Sequence, residues 1–247
     1  MKKIKVGAVS YLNTKPLLYG IERSAELMHQ IALTTDYPSI IAKQLIDDEI
    51  DVGLIPVAAV LNLKEYFIVS DYCIGAENNV ASVCLFSDVS LDKIETVLLD
   101  YQSKTSVALC KVLLKNYWKK GVVLKEATHD FINEIKNTTA AVLIGDRALQ
   151  QRKKSKYIYD LAGEWKAFTG LPFVFAAWIS NKKLPEDFTQ LFNEKNAEGL
   201  HNIDAVLQTA QCGFYDLKTY YTKNISYNLT AEKLKGMNLF LELLRQL

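Results

Sequence analysis

Short apolar runs that alternate with helical stretches constrain this chain more than any other feature. "KIKVGAV" near the start reads as a buried strand, "IALTTD" as a second and "DVGLIPV" as a third. Between the last two lies "YPSIIAKQLIDDEI", a helical stretch with Pro38 in its first turn, where a fixed φ and a missing N–H cost little. Strands separated by helices cannot pair as hairpins. Each needs a crossover, which predicts an α/β fold with a parallel sheet. "AAVLNLKEY" reads as a short helix after the third strand.

The alternation then repeats. "ASVCLFS" (81–87) reads as a strand and "ETVLLD" opens another unit. Helix "KTSVALCKVLLKNYW", strand "GVVLKEA", helix "DFINEIKN", strand "AAVLIGD" and helix "RALQQRKK" follow. This run fits a second sheet as well as an extension of the first. "YIYDLAGEWKAFTGLPFVFAAWIS" carries a short strand, a glycine-broken helical stretch and an apolar run from Phe173 to Ser180. From Pro185 onward the chain reads as helices. The last has Thr230 as N-cap and Leu234, Met237, Phe240, Leu241 and Leu244 on one face. No flexible linker or repeat is visible, so two lobes would have to be joined by strands. "ASVCLFS" and "FVFAAWIS" are the candidates.

Composition removes several functions. The 247 residues are 49% hydrophobic and 23% charged, with a net charge of +1. No basic excess points to nucleic acid, and no apolar run approaches the ~20 residues of a membrane span. "MKKIKV" begins like a signal peptide, but Lys5, Ser10, Asn13 and Lys15 interrupt any apolar core, so a cytoplasmic protein is expected. Cys73, Cys84, Cys110 and Cys212 show no C-x-x-C spacing, and the first three read as small buried hydrophobes. His29, His129 and His201 lie far apart in dissimilar contexts, which argues against a metal site. There is no G-x-S-x-G, P-loop or G-x-G-x-x-G, and no cofactor is expected.

In open parallel sheets ligands sit beyond the carboxyl ends of the strands. Ser10, Tyr11 and Asn13 follow the first strand, and Pro56, Val57 and Ala58 follow "DVGLI". "YQSKTS" follows "TVLLD", and Gly145 with Asp146 follows "AVLI". In "DYQSKTS", Ser103 is an N-cap candidate, which places residues 104–106 in a first turn with free N–H groups. Free donors and the helix dipole favour an anion there, and the Thr105 and Ser106 hydroxyls add donors. A plain capped helix would show the same pattern. Asp146 would either cap a helix starting at Arg147 or face a ligand that Gly145 allows to approach. Trp165, Trp178, Phe168, Phe173 and Phe175 fit a core or a pocket wall.

"SYLNTKPL" resembles the N-terminal signature of the MqnA family, the chorismate dehydratases of the futalosine route to menaquinone. "DVGLIPVAA", "ASVCLFS", "DYQSKTSVALCKVLL", "VLIGDRAL", "DLAGEWKAFTGLPFVFAAW" and "YNLTAEKLKGMNLFLELL" fall in the same order, so the resemblance spans almost the whole chain. It implies a two-lobed fold like the type 2 periplasmic binding proteins, with two crossing hinge strands. Residues 1–84 with 179–247 would form one lobe and 85–178 the other. It implies dehydration of chorismate to 3-[(1-carboxyvinyl)oxy]benzoate, a hydro-lyase reaction with a small-molecule substrate and no metal or cofactor. It also assigns Asn13 and Ser82 as catalytic residues. Ser103, Thr105 and Ser106 would hold a carboxylate, Tyr11, Pro56 and Val57 one wall, and Gly145 and Asp146 the far side.

Three positions depart from the family pattern. Lys104 stands where arginine is common and cannot give a planar bidentate grip. Asn79 replaces an expected glycine, and Arg147 is unusual after "IGD". No histidine falls in these motifs and Asp146 is the one carboxylate among the candidates, so the base is either a side chain or the substrate's own enolpyruvyl carboxylate. Two rivals stand beside this reading. One is a non-enzymatic solute-binding protein for a small carboxylate. The other is the sister enzyme MqnD, acting on cyclic dehypoxanthine futalosine, which is expected to use a histidine base.

Overall fold

The computed structural model describes residues 3–128 and 130–247. Strand β1 (Ile4–Val9) passes through a 3-10 turn, Leu12–Thr14, into α1 (Lys15–Arg23), whose first turn holds Pro16. Then come α2 (Ala25–Gln30), β2 (Ile31–Asp36), α3 (Pro38–Ile46) and β3 (Val52–Pro56). The short helix expected after β3 is a 3-10 stretch, Val57–Asn62, stopped where Leu63 turns extended. Strand β4 (Phe67–Ala76) was not predicted, because Ser70, Asp71 and Gly75 break its apolar alternation.

Strands β5 (Val83–Ser87) and β6 (Thr96–Leu99) lead to α4 (Lys104–Val112), which continues as a π-helical turn, Leu113–Tyr117. After β7 (Val123–Glu126) the expected helix "DFINEIKN" is only a 3-10 turn, Phe131–Glu134. It is entered by Asp130 at φ 65 and left by Ile135 in extended conformation, too short a span for an α-helical ladder. Next come β8 (Thr139–Ile144), α5 (Gly145–Gln151), β9 (Tyr157–Asp160), α6 (Leu161–Thr169) and β10 (Phe173–Ser180). Helices α7 (Glu186–His201) and α8 (Ile203–Gln208) precede α9 (Leu217–Thr219), which runs into a second π-helical turn, Tyr220–Asn224. A strand the sequence did not announce, β11 (Ser226–Asn228), comes before α10 (Ala231–Arg245).

The strands form two sheets, ordered β11-β4-β10-β3-β1-β2 and β7-β6-β8-β5-β9. In the larger, β1 is parallel to β2 and β3, while β10 runs antiparallel to β3 and β4. In the smaller, β6 is parallel to β7 and β8, while β5 runs antiparallel to β8 and β9. Both sheets are therefore mixed. The antiparallel strands β5 and β10 each arrive from the other sheet, so no crossover helix obliges them to run parallel. The expected boundaries at 84/85 and 178/179 fall inside these two strands, each of which pairs in one sheet. The chain changes sheets over 77–82 and 161–172, just before each strand.

Close backbone approach locks α1 against α7. A Cβ at Gly199 would lie 2.0 Å from Pro16 O, and one at Gly20 would lie 2.4 Å from Lys195 O. Trp165, Phe173 and Phe240 form an edge-on aromatic cluster with centroids 5.0–6.1 Å apart. Trp178 is buried and donates to Asn196 Oδ1 at 2.7 Å. Trp165, Trp178 and Phe173 are thus core. Cys73, Cys84 and Cys110 are buried free thiols. Among the described residues, no helix is long and apolar enough to cross a membrane.

Candidate functional site

The carboxyl ends of β1 and β3 in one sheet, and of β6 and β8 in the other, meet at a cavity of about 50 Å³. Tyr11, Asn13 and Thr14 line it from the turn that follows β1, and Pro56 lines it from β3. Ser103 and Ser106 reach it from the start of α4, and Gly145 from the end of β8. Ser82, on the passage between the sheets, completes the polar lining, while Ile74, Val80 and Phe175 supply an apolar side. Of the residues assigned to the site from the sequence, Val57, Thr105 and Asp146 do not line the cavity.

Each absence has a local cause. Val57 is fully buried behind Pro56. The Thr105 hydroxyl is spent across the gap, accepting from Ala58 N–H at 3.0 Å. Asp146 caps nothing, since α5 already starts at Gly145 and has no side-chain cap. Its carboxyl turns toward the Leu12 backbone N–H instead, and Oδ1 is buried without a partner. Burial pushes its pKa up, against the lowering effect of that N–H and of Lys15.

Ser103 is the cap of α4: its Oγ accepts from Ser106 N–H at 3.1 Å and donates to Ser106 Oγ at 2.9 Å. Lys104 is exposed. Gly145 sits at φ +61, a conformation that disfavours side chains, and a Cβ there would be 3.3 Å from the Tyr11 ring. The glycine lets Tyr11 lie flush against the end of β8.

Arg147 belongs to an inner chain of charges. One Nη reaches both oxygens of buried Asp100, at 2.8 and 2.7 Å, and Gln102 Oε1 at 2.7 Å. The same Gln102 oxygen accepts from Tyr11 O–H at 2.5 Å. Tyr11 therefore bonds across the gap to the smaller sheet. Burial pushes the Asp100 pKa up, while Arg147 opposes this. Burial and the charge of Asp100 push the Tyr11 phenol up as well.

Ser82 Oγ is fully buried with no hydrogen-bond partner. Its backbone O accepts from Gly145 N–H at 2.8 Å. The residue before it, Ala81, is held at φ 64. The Asp160 carboxylate secures this turn, accepting from Val80 N–H at 3.0 Å and Ala81 N–H at 2.7 Å. It also caps α6 through Ala162 and Gly163 N–H at 3.2 and 3.3 Å. Asn79 lies over Gly163, where an added Cβ would be 2.1 Å from its Oδ1. The turn thus keeps its close packing with the missing side chain at 163 rather than at 79.

Sequence reasoning passed over Asp160 and the tyrosines of the C-terminal segment. Tyr227 O–H donates to Asn13 O at 3.0 Å. The Tyr220 and Tyr221 hydroxyls are buried and unpartnered. The Tyr220 hydroxyl neighbours the Ser82 and Asn13 side chains. The signal available was the aromatic pair in "DLKTYYTKN", which helical spacing alone assigns to core. His29 and His201 are exposed at the ends of α2 and α7, and His129 lies outside the described residues.

A family model described as menaquinone biosynthesis matches residues 4–246. Chorismate dehydratase from Thermus thermophilus is 25% identical over 269 residues, covering 99% of this chain and 96% of that protein. Chorismate dehydratase from Campylobacter jejuni is 25% identical over 237 residues, covering 94% of this chain and 89% of that protein. A solved Candida albicans protein, described as having the generic periplasmic binding protein fold, superposes with a TM-score of 0.69 at 10% identity, covering 100% of this chain and 91% of that one.

Proposed function

The chain belongs to the menaquinone biosynthesis family, and from that premise we propose that it is a carbon–oxygen lyase that dehydrates chorismate to 3-[(1-carboxyvinyl)oxy]benzoate. The observation that carries the reading is the meeting of Asn13, Ser82, the start of α4 and Gly145 in one cavity. The ring carbon bearing the enolpyruvyl ether loses a proton, and its neighbour loses hydroxide. Water leaves and the ring becomes aromatic.

Among the described residues, the cavity lining holds no carboxylate and no imidazole, and Tyr11 is its one titratable side chain; burial keeps that phenol protonated. The proton therefore goes to the substrate's own enolpyruvyl carboxylate, which the site holds against the ring. Holding reacting groups at attack distance is a large share of what an enzyme contributes. The first turn of α4, with the Ser106 hydroxyl, takes the ring carboxylate, into which charge flows as the proton leaves. Asn13 and Ser82 take the departing hydroxyl. Ile74 and Phe175 pack on the ring. Gly145 closes the far side. That no imidazole among the described residues lines the cavity also weighs against the sister reaction, which is expected to use a histidine base.

A pocket for a small ligand spans about 300 Å³ or more, far above the roughly 50 Å³ here. Entry therefore requires the segments 1–76 with 173–247 to part from 83–160. Parting breaks the Tyr11–Gln102 and Ala58–Thr105 hydrogen bonds, and reclosing excludes water from the reaction.

Incubating the protein with chorismate and identifying the product tests this reading. Asn13→Ala and Ser82→Ala are expected to stay folded and lose at least ~10²-fold in kcat, the scale of one transition-state donor. No aromatic product from the parent protein, or full turnover in both variants, removes the assignment.

A further inference from the structure

The segment before β11 carries groups that the reaction scheme leaves unused. Asp216 caps α9, accepting from Thr219 N–H at 3.1 Å, and the chain then widens into the π-helical turn Tyr220–Asn224. Such turns insert a residue into the helical ladder, re-aim side chains and occur often at functional positions. This one brings Tyr220 behind the site. Its ring is fully buried, edge-on to Tyr215 with centroids 6.0 Å apart and tilted against Tyr221 at 5.8 Å.

The Tyr220 hydroxyl faces the side chains of Ser82 and Asn13. Neither it nor Ser82 Oγ closes a hydrogen bond in this arrangement. Two unpartnered hydroxyls at a fully buried point are costly, and phenylalanine would fill the same space without that cost. Asn13 Oδ1 accepts from Thr14 Oγ1 at 3.3 Å, which leaves its amide nitrogen with two donors to place. One can reach the Tyr220 oxygen and the other the cavity.

We propose that Tyr220 is a positioning residue for the dehydration: its O–H donates to Ser82 Oγ and so turns the Ser82 hydrogen into the cavity, toward the hydroxyl that departs. The proposal rests on the chorismate reading of the site and deepens it. Asn13 N–H to Tyr220 O, Tyr220 O–H to Ser82 O, and Ser82 O–H to substrate form one directed chain, in which each bond polarises the next. Burial lifts the Tyr220 pKa far above that of an ordinary phenol, while Ser82 and Asn13 oppose the rise. Tyr220 therefore stays protonated, a fixed donor rather than a base.

The test is Tyr220→Phe in the full chain, assayed with chorismate beside Asn13→Ala and Ser82→Ala, with Tyr215→Phe as a packing control. Tyr220→Phe should lower kcat by on the order of 10²-fold and leave KM within about 2-fold. Its melting temperature should stay close to the parent's, because the phenyl ring still fills the same space. Tyr215→Phe should turn over like the parent. Unchanged kcat in Tyr220→Phe overturns the proposal, as does a kcat loss that comes with a lower melting temperature or is matched by Tyr215→Phe. If Ser82→Ala and Asn13→Ala are inactive in those cases, the chorismate site survives and only the role of Tyr220 falls. If they too are fully active, or the parent forms no product, the site reading itself has failed.

Discussion

Replacing Asp160 with alanine should unfasten the turn that presents Ser82. Its carboxylate accepts from four backbone N–H groups, those of Val80, Ala81, Ala162 and Gly163, at 2.7 to 3.3 Å. Loss of an N-cap costs about 1 kcal/mol. Two further buried N–H groups left without acceptors cost about 1–3 kcal/mol each. Relief from holding a desolvated carboxylate offsets part of this, so a net loss of about 3 kcal/mol is expected. With a urea slope of about 3 kcal/mol per molar for a chain of this size, the midpoint should fall by roughly 1 M. Catalysis should fall as well, because Ala81, held at φ 64, can relax and carry Ser82 with it.

Acidity provides a second readout of the same bonds. Burial raises the Asp160 pKa in the folded state, with the Val80, Ala81 and Gly163 amides and then Arg152 opposing. A carboxyl raised on folding contributes stability that is complete below its unfolded pKa of about 4 and is lost as pH climbs through the folded value. Asp160→Asn lacks that titration, so its stability deficit relative to the parent should narrow as pH rises above about 4. Urea melts at several pH values measure both effects. A midpoint shift for Asp160→Ala below about 0.3 M would show that these four bonds do not hold the turn.

Arg147→Met should strand the buried Asp100 carboxylate and cost about 3 kcal/mol; urea melts should show the deficit shrinking toward acid pH, where Asp100 is protonated. Gly199→Ala places a methyl 2.0 Å from Pro16 O. Differential scanning calorimetry should show a lower melting temperature, corresponding to about 3 kcal/mol of overpacking.

Much of this was legible along the chain. The βαβ alternation announced β1, β2 and β3, and the Ser103 cap was visible because capping is a local event within four residues. Strand order was not legible, since β10 inserts between β3 and β4 through pairings between residues as distant in sequence as Phe173 and Ala76 or Ser180 and Val52. β4 escaped because buried Ser70 and exposed Asp71 interrupt its apolar run, and what ties them down is distant in sequence: Ser70 Oγ and the Asp71 backbone N–H both donate to Asn193 Oδ1 of α7, at 2.8 and 2.9 Å. At the site, residues at strand ends could be read from position alone. Tyr220 could not: its aim depends on a π-register that no apolar spacing encodes. Asp160 looked like any acid after a short strand until its partners at 80 and 81 came into view.

Ser82 lies on one of the two passages between the sheets. When two bodies swing apart, points on their connecting strips travel least, like the pin of a door. Ser82 should therefore stay almost stationary while Gly145 and the tip of α4 sweep toward or away from the β1 end. Alignment of the departing hydroxyl would then be set once, at the pivot, and each opening and shutting would only deliver the remaining contacts to it.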